Sequence, residues 1–155
     1  MNKSVLLILS VIFTLILMIS SCSDKLNEPG FPGLRCDINS YEFIADTAYY
    51  TYGPGINIYA YKGNAELQFH LNSLTTKDSV GSYSLDTSGL TSSALYFDGT
   101  GTTYQSISGT VNMTQFYNVS LKICSGNFSF TGRVPGSSGN TVTIQYGYFN
   151  NIPRH

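Results

Sequence analysis

The sequence predicts an all-β domain, an antiparallel β-sandwich or flattened barrel of about nine short strands, carried behind an export segment. Three observations predict it. Apolar and polar residues alternate at period two through much of the chain after Tyr41. Turn-forming residues interrupt that alternation at short intervals, as in Gly63-Asn64, Thr87-Ser88-Gly89 and Asp98-Gly99-Thr100-Gly101. No window of helix length after Cys22 carries an apolar stripe with caps.

The chain begins with a single positive charge, Lys3, and then runs apolar from Val5 to Ile19 apart from Ser10 and Thr14. A short basic front, an apolar core and small residues at the end make a secretory signal. Ile19-Ser20-Ser21-Cys22 closes the run. Those four residues resemble the lipobox of bacterial lipoprotein signal peptides, an aliphatic residue and two small ones before a cysteine. The resemblance implies cleavage after Ser21 and lipidation of the Cys22 thiol, since a thiolate is the nucleophile that takes up the lipid. An uncleaved membrane anchor is the competing reading. It wants ~20 apolar residues, more than this run supplies. The expected address is the cell envelope, lipid-anchored at the outer membrane on its periplasmic or surface side.

Removal of residues 1–21 from the 155 leaves 134, enough for one ordinary domain. Of the eight Lys and Arg only Lys3 lies before Cys22, so seven basic residues face nine acidic ones, a net charge of −2. No basic run exists, which removes the electrostatic footprint of a nucleic-acid binder. Only 11% of residues are charged, yet tyrosine and phenylalanine are abundant, and disordered chains lack aromatics. Residues 22–40 are expected to form the lipid anchor and a flexible tether, with Ser23–Gly33 rich in proline and glycine. Residues 41–155 are expected to form the single β-rich domain.

Once Cys22 is lipidated, Cys36 and Cys124 remain as an even pair in an oxidising compartment. A bond between them would close the 88 positions from Cys36 to Cys124, worth ~4 kcal/mol in the chain-entropy treatment. Two unpaired thiols are the alternative, since sequence does not show whether the side chains meet. Two distant cysteines and His70 make no metal-ligand pattern, so neither a metal nor a cofactor is expected.

Tyr41–Tyr50 reads as the opening strand. Gly55–Lys62 and Ala65–Asn72 follow as a hairpin about Gly63-Asn64, with Ala65, Leu67, Phe69 and Leu71 on one face and Glu66, Gln68, His70 and Asn72 on the other. Tyr83–Leu85, Ala94–Phe97 and Thr103–Ile107 read as further strands. Gly109–Phe116 and Val119–Thr131 form the next pair. In the second of these the apolar positions are odd through Leu121 and Ile123, then even at Phe128 and Phe130, so a bulge or break is expected at Ser125-Gly126. Val134–Asn140 reads as a loop and Thr141–Phe149 as the last strand.

Gly81-Ser82-Tyr83-Ser84-Leu85, Ser108-Gly109-Thr110-Val111, Ser125-Gly126-Asn127-Phe128-Ser129-Phe130 and Val142-Thr143-Ile144 with Gly147-Tyr148-Phe149 occur in that order. The set resembles a family of small Bacteroidetes lipoproteins of unknown function over roughly residues 41–152. The chain departs from it in having no tryptophan and in carrying Phe116-Tyr117-Asn118 before the Ser-Gly strand. The resemblance brings no catalytic residue. It implies that these motifs hold the fold, with glycines at bulges and turns and aromatics in the core.

Catalysis is not expected. No serine sits in a Gly-x-Ser-x-Gly elbow, and His70 lies on the polar face of a strand. A carboxylate pair drawn from Glu42, Asp46, Glu66 and Asp86 would be the raw material of a less favoured hydrolase reading. Binding is favoured. The chain has twelve tyrosines, with clusters at 49–52, 59–61 and 146–148, and Tyr59 and Tyr61 share one strand face. Large rigid rings grip a glycan or an envelope protein with little loss of entropy. The competing reading buries the two rings in the core. A small periplasmic enzyme inhibitor is a further alternative, with Val134–Asn140 as its reaching loop. Asp46-Thr47-Ala48 and Asp78-Ser79-Val80 resemble acceptor sites for O-glycosylation, which nominates Thr47 and Ser79. The oligomeric state has no signature in the sequence.

Overall fold

A computed structural model describes residues 33–72, 80–87, 92–117 and 119–155. Among them there is no helix, only ten antiparallel strands in one strongly curled, half-barrel sheet. The strands are β1 (Gly33–Ile38), β2 (Tyr41–Ile44), β3 (Thr47–Tyr52), β4 (Ile56–Lys62), β5 (Ala65–Leu71), β6 (Gly81–Ser84), β7 (Ser92–Phe97), β8 (Thr103–Tyr117), β9 (Ile123–Arg133) and β10 (Thr141–Pro153). Their order is β2-β1-β10-β9-β8-β7-β5-β4-β3, with β6 paired to the far part of β8. The all-β expectation holds in its barrel-like form.

The expected single strand Tyr41–Tyr50 is divided. β2 pairs with β1 at one end of the sheet and β3 pairs with β4 at the other. Only Ala45 and Asp46 separate them, and their amides donate to Leu34 O on one side and Tyr61 O on the other. One continuous segment therefore spans the two edges. The C-terminus covers more of the β3 edge, because Arg154 bridges Tyr50 and the His155 amide donates to Tyr50 O. The β3 edge is thus partly covered at Tyr50 by the chain's own C-terminus, which limits edge-to-edge association there.

The tether expected over residues 22–40 ends earlier than that. Gly33–Ile38 is strand β1, with Leu34, Cys36 and Ile38 turned inward, so the folded part begins by Gly33. Its alternation was masked by the adjoining Pro-Gly segment. Asn39 and Ser40, both with positive φ, make the two-residue turn into β2.

The inside of the curl is filled by side chains. Ile56, Ile58, Ala60, Leu67, Phe69 and Leu71 come from the hairpin β4–β5, and Val111, Met113, Phe128, Phe130, Ile144 and Phe149 from the long strands. Phe69 makes edge contacts with Phe128 and Phe130 at centroid distances of 4.7 and 5.9 Å, joining the two walls.

The irregularity expected at Ser125-Gly126 is displaced onto the neighbouring strands. Cys124, Gly126, Phe128 and Phe130 all face inward, so β9 keeps one parity. Val119 and Leu121 are exposed turn residues, and their odd positions never belonged to a strand face. The register shifts lie in β8, between Ser106 and Ser108 and between Met113 and Gln115, and in β10, between Ile144 and Gly147 and between Phe149 and Ile152. Gly126 is required for close approach, because a Cβ there would meet Asn112 O and stand 2.6 Å from Phe149 Cζ.

Candidate binding surfaces

Cys36 and Cys124 are both buried and unbonded, which corrects the disulfide reading. Cys124 lies opposite Ile152 on β10, whereas the residues flanking Cys36 lie opposite Tyr148 and Gln145. About five positions of strand, at roughly 3.3 Å each, separate their levels, too far for a disulfide. Burial pushes the Cys36 thiol up to about 12, aided by the Asp37 carboxylate, and burial raises Cys124 as well. Neither is a ready nucleophile.

The ionisable side chains named from the sequence take local roles. His70 is exposed and shares a 2.6 Å hydrogen bond between its Nδ1 and Asn57 Oδ1. Asp46 Oδ2 accepts from the Gly63 amide at 2.8 Å, and Glu66 Oε1 accepts from Gln68 Nε2 at 2.8 Å. Among the described residues, no three of His, Cys, Asp and Glu converge as a metal site would require. Thr47 is exposed in β3 opposite Tyr61, inside a paired strand. Cys22 and Ser79 lie outside the described residues. The Val134–Asn140 loop is closed on itself, with Val134 N donating to Asn140 O and the amides of Gly139 and Asn140 donating to Ser137 Oγ.

Tyr59 and Tyr61 are on the outer face of the wall formed by β3, β4 and β5, half-buried, while Ile58 and Ala60 between and beside them point into the core. The reading that placed these two rings in the core does not hold. Tyr49 on β3 faces Tyr59 directly, with centroids 5.2 Å apart, and lies 6.1 Å from Tyr61. The Tyr49 and Tyr61 hydroxyls are 3.4 Å apart. His155 tilts against Tyr49 at 4.9 Å. That hydroxyl contact first, then burial and the neighbouring Glu66, raise the Tyr61 phenol well above its ordinary range. The result is a ladder of stacked rings bordered by Glu66 and Gln68.

A second surface was not singled out from the sequence beyond its tyrosine pair 146–148. On the outer face of β8, β9 and β10 an open trough of about 830 Å³ runs across the long strands. Its floor is a cross-strand row, Asn112 opposite Asn127 opposite Tyr148. Asn112 Nδ2 donates to Asn127 Oδ1 at 3.0 Å, and the Arg35 guanidinium lies 4.6 Å from the Tyr148 ring centre. The two irregularities of β10 bound it. Tyr146 has φ 52° and Asn151 has φ 49°, left-handed values that non-glycine residues seldom take. Ser125 locks the second of these by accepting from Asn151 N at 2.9 Å, with Gln115 Oε1 and Asn150 Oδ1 at 3.2 and 3.3 Å from its Oγ. The signal in the sequence was the break in alternation between Ile144 and Phe149, readable only once the bulges are known.

The fold and these surfaces define a small barrel-like β-domain with a filled interior and two polar-aromatic outer faces. Residues 27–153 match the family described as a domain of unknown function, DUF6252, and the chain belongs to that family. That agrees with the unknown-function character of the resemblance carried by its motifs. The buried Phe128, Phe130 and Phe149 put the aromatics of those motifs in the core as expected, whereas Gly126 and Gly147 serve close packing against Phe149 and Phe128. No curated protein and no solved structure matches the chain.

Proposed function

We propose that the protein is a lipid-anchored component of a bacterial cell envelope, related to the small Bacteroidetes lipoproteins, whose β-domain is a binding module for a glycan or an envelope protein and not a catalyst. Support for the anchor is the lipobox-like Ile19-Ser20-Ser21-Cys22. The single observation that carries the binding reading is the tyrosine ladder, three rings on the solvent side of a wall whose other side supplies the core. Aromatic rings turned outward and held by their neighbours lose little entropy when a partner is gripped.

Two measurements test it. Radiolabelled fatty acid should attach to the native protein in its host and not to Cys22→Ser. Binding of envelope glycans or proteins should fall at least tenfold in Tyr59→Ala/Tyr61→Ala, a loss of about 1.4 kcal/mol. The double variant keeps the inward-facing Ile58 and Ala60 and should remain folded. Labelling equal to that of Cys22→Ser overturns the anchor, and unchanged binding by the folded double variant overturns the role of the ladder.

A further inference from the structure

We infer that the trough across β8, β9 and β10 is a binding site for an uncharged oligosaccharide, separate from the tyrosine ladder and independent of the reading given to it. The inference starts from what lines the trough. Asn112, Asn127, Asn150 and Gln145 present primary amides, each both donor and acceptor. Thr110 and Ser129 add hydroxyls between them. No carboxylate and no cationic side chain is among the lining residues. Arg35, the cation beside the trough, is already stacked on the Tyr148 ring, and no carboxylate lines the trough, so a charged ligand would lose its water there for little counter-charge. Asn112 and Asn127 pair with each other and Asn150 with Ser125, so an apolar ligand would leave their remaining donors and acceptors unpaired, at about 1–3 kcal/mol for each such group.

What fits is a neutral molecule dense in donors and acceptors. Tyrosine rings narrow the class further. Tyr146 is 60% exposed at the bend of β10, and its left-handed backbone turns it out of the sheet's regular alternation. A flat apolar ring beside amides matches a pyranose, which has a C–H face and a rim of hydroxyls. An extended peptide is the other neutral donor-acceptor ligand. Peptides commonly bind by adding a strand to a free sheet edge, and β8, β9 and β10 are interior strands with their backbones already paired on both sides. The volume, about 830 Å³, lies within the range of small-molecule sites. The openness of a trough, in place of a closed pocket, suits a chain of sugars that enters and leaves along its length.

The test is NMR titration of the purified full chain with linear neutral hexasaccharides of gluco, manno and xylo configuration, with hexagalacturonate as the charged comparison. At least one neutral hexasaccharide should move the side-chain amide signals of Asn112, Asn127 and Asn150 saturably. Its affinity should fall about tenfold or more in Asn127→Ala, the loss expected of about 1.4 kcal/mol. Tyr146→Gly provides a second variant that removes the ring while suiting the left-handed backbone, so its fold is preserved, and it should weaken binding similarly. Gly139→Ala, outside the trough's lining and with nothing for a Cβ to meet, should bind as the parent does. Absence of saturable shifts with every neutral hexasaccharide, a preference for hexagalacturonate, or affinity unchanged in both trough variants would each overturn the proposal.

Discussion

The two outer faces of this barrel come from the same alternation of residues and end up as different surfaces. Along β3, β4, β5 and β7 the register runs without a shift, so Tyr49, Tyr59 and Gln68 stand in line and Tyr61 faces Glu66. Regular register puts rings beside rings, and they stack on one another. Along β8, β9 and β10 the register shifts four times. Each shift bends a strand and re-aims the next side chain, which opens a trough floored by amides. Bulges, more than composition, separate a ladder from a groove.

The largest expected effect lies where the two walls meet. Phe69 on β5 inserts between Phe128 and Phe130 of β9 and is 1% exposed. Phe69→Ala should destabilise the fold by about 4 kcal/mol, measured by urea unfolding. If the walls were held chiefly by their hydrogen-bonded ladders, the loss would be far smaller. A glycine contrast sharpens the role of the bulged wall. A Cβ on Gly147 would fall on the Phe128 ring, whereas one on Gly139 would meet nothing. Gly147→Ala should therefore cost about 3 kcal/mol by overpacking, and Gly139→Ala should stay within about 0.5 kcal/mol. Equal effects would mean that the trough's curvature tolerates a side chain beneath it.

The seam between the walls is the next place to test. β7 and β8 pair regularly only from Leu95 to Phe97, and then a side chain replaces the ladder. Ser106, fully buried, accepts the Ala94 amide on its Oγ at 3.0 Å. Ser106→Ala leaves that buried amide unpaired and should destabilise by about 2 kcal/mol. Amide exchange at Ala94 should accelerate more than at Phe69. A uniform acceleration would mean that the walls open as one unit and not along this seam.

The regular wall was legible in the sequence and the bent wall was not, for a physical reason. Period-two alternation in Ala65–Leu71 survives unaltered in the structure because nothing interrupts its register. In β10 the inward positions run Val142, Ile144, Gly147, Phe149, Ile152, and two bulges reset the parity. Sequence alternation therefore ended at Phe149, while the strand continues to Pro153. The tyrosine pair 59 and 61 was visible as sharing a face, but which side faced solvent needed the fold. The trough was illegible, because Asn112, Asn127 and Tyr148 are brought level only by the shifted registers. Cys36 and Cys124 looked like a pair by count, and count carries no register.

The smallest expected effect concerns the turn that joins the two walls. Asp98 Oδ1 accepts from Thr100 N at 2.8 Å, Thr100 Oγ1 at 2.9 Å and Thr102 N at 3.1 Å, closing the link from β7 to β8. Those hydrogen bonds, led by the Thr100 amide, hold its carboxyl below the ordinary carboxylate range. A carboxyl that is more acidic when folded stabilises the fold above its unfolded pKa, and the contribution disappears as pH falls through the folded value. Acidification below about pH 4, the ordinary aspartate pKa, should therefore weaken this turn before it disturbs the hairpin β4–β5. Asp98→Asn should remove that part of the acid sensitivity while leaving Tyr59 and Tyr61 signals unchanged. An NMR titration in which Asp98 protonates at the ordinary value, or in which the β4–β5 amides exchange first, would show that the joint between the ladder and the trough is held by packing and not by this charge.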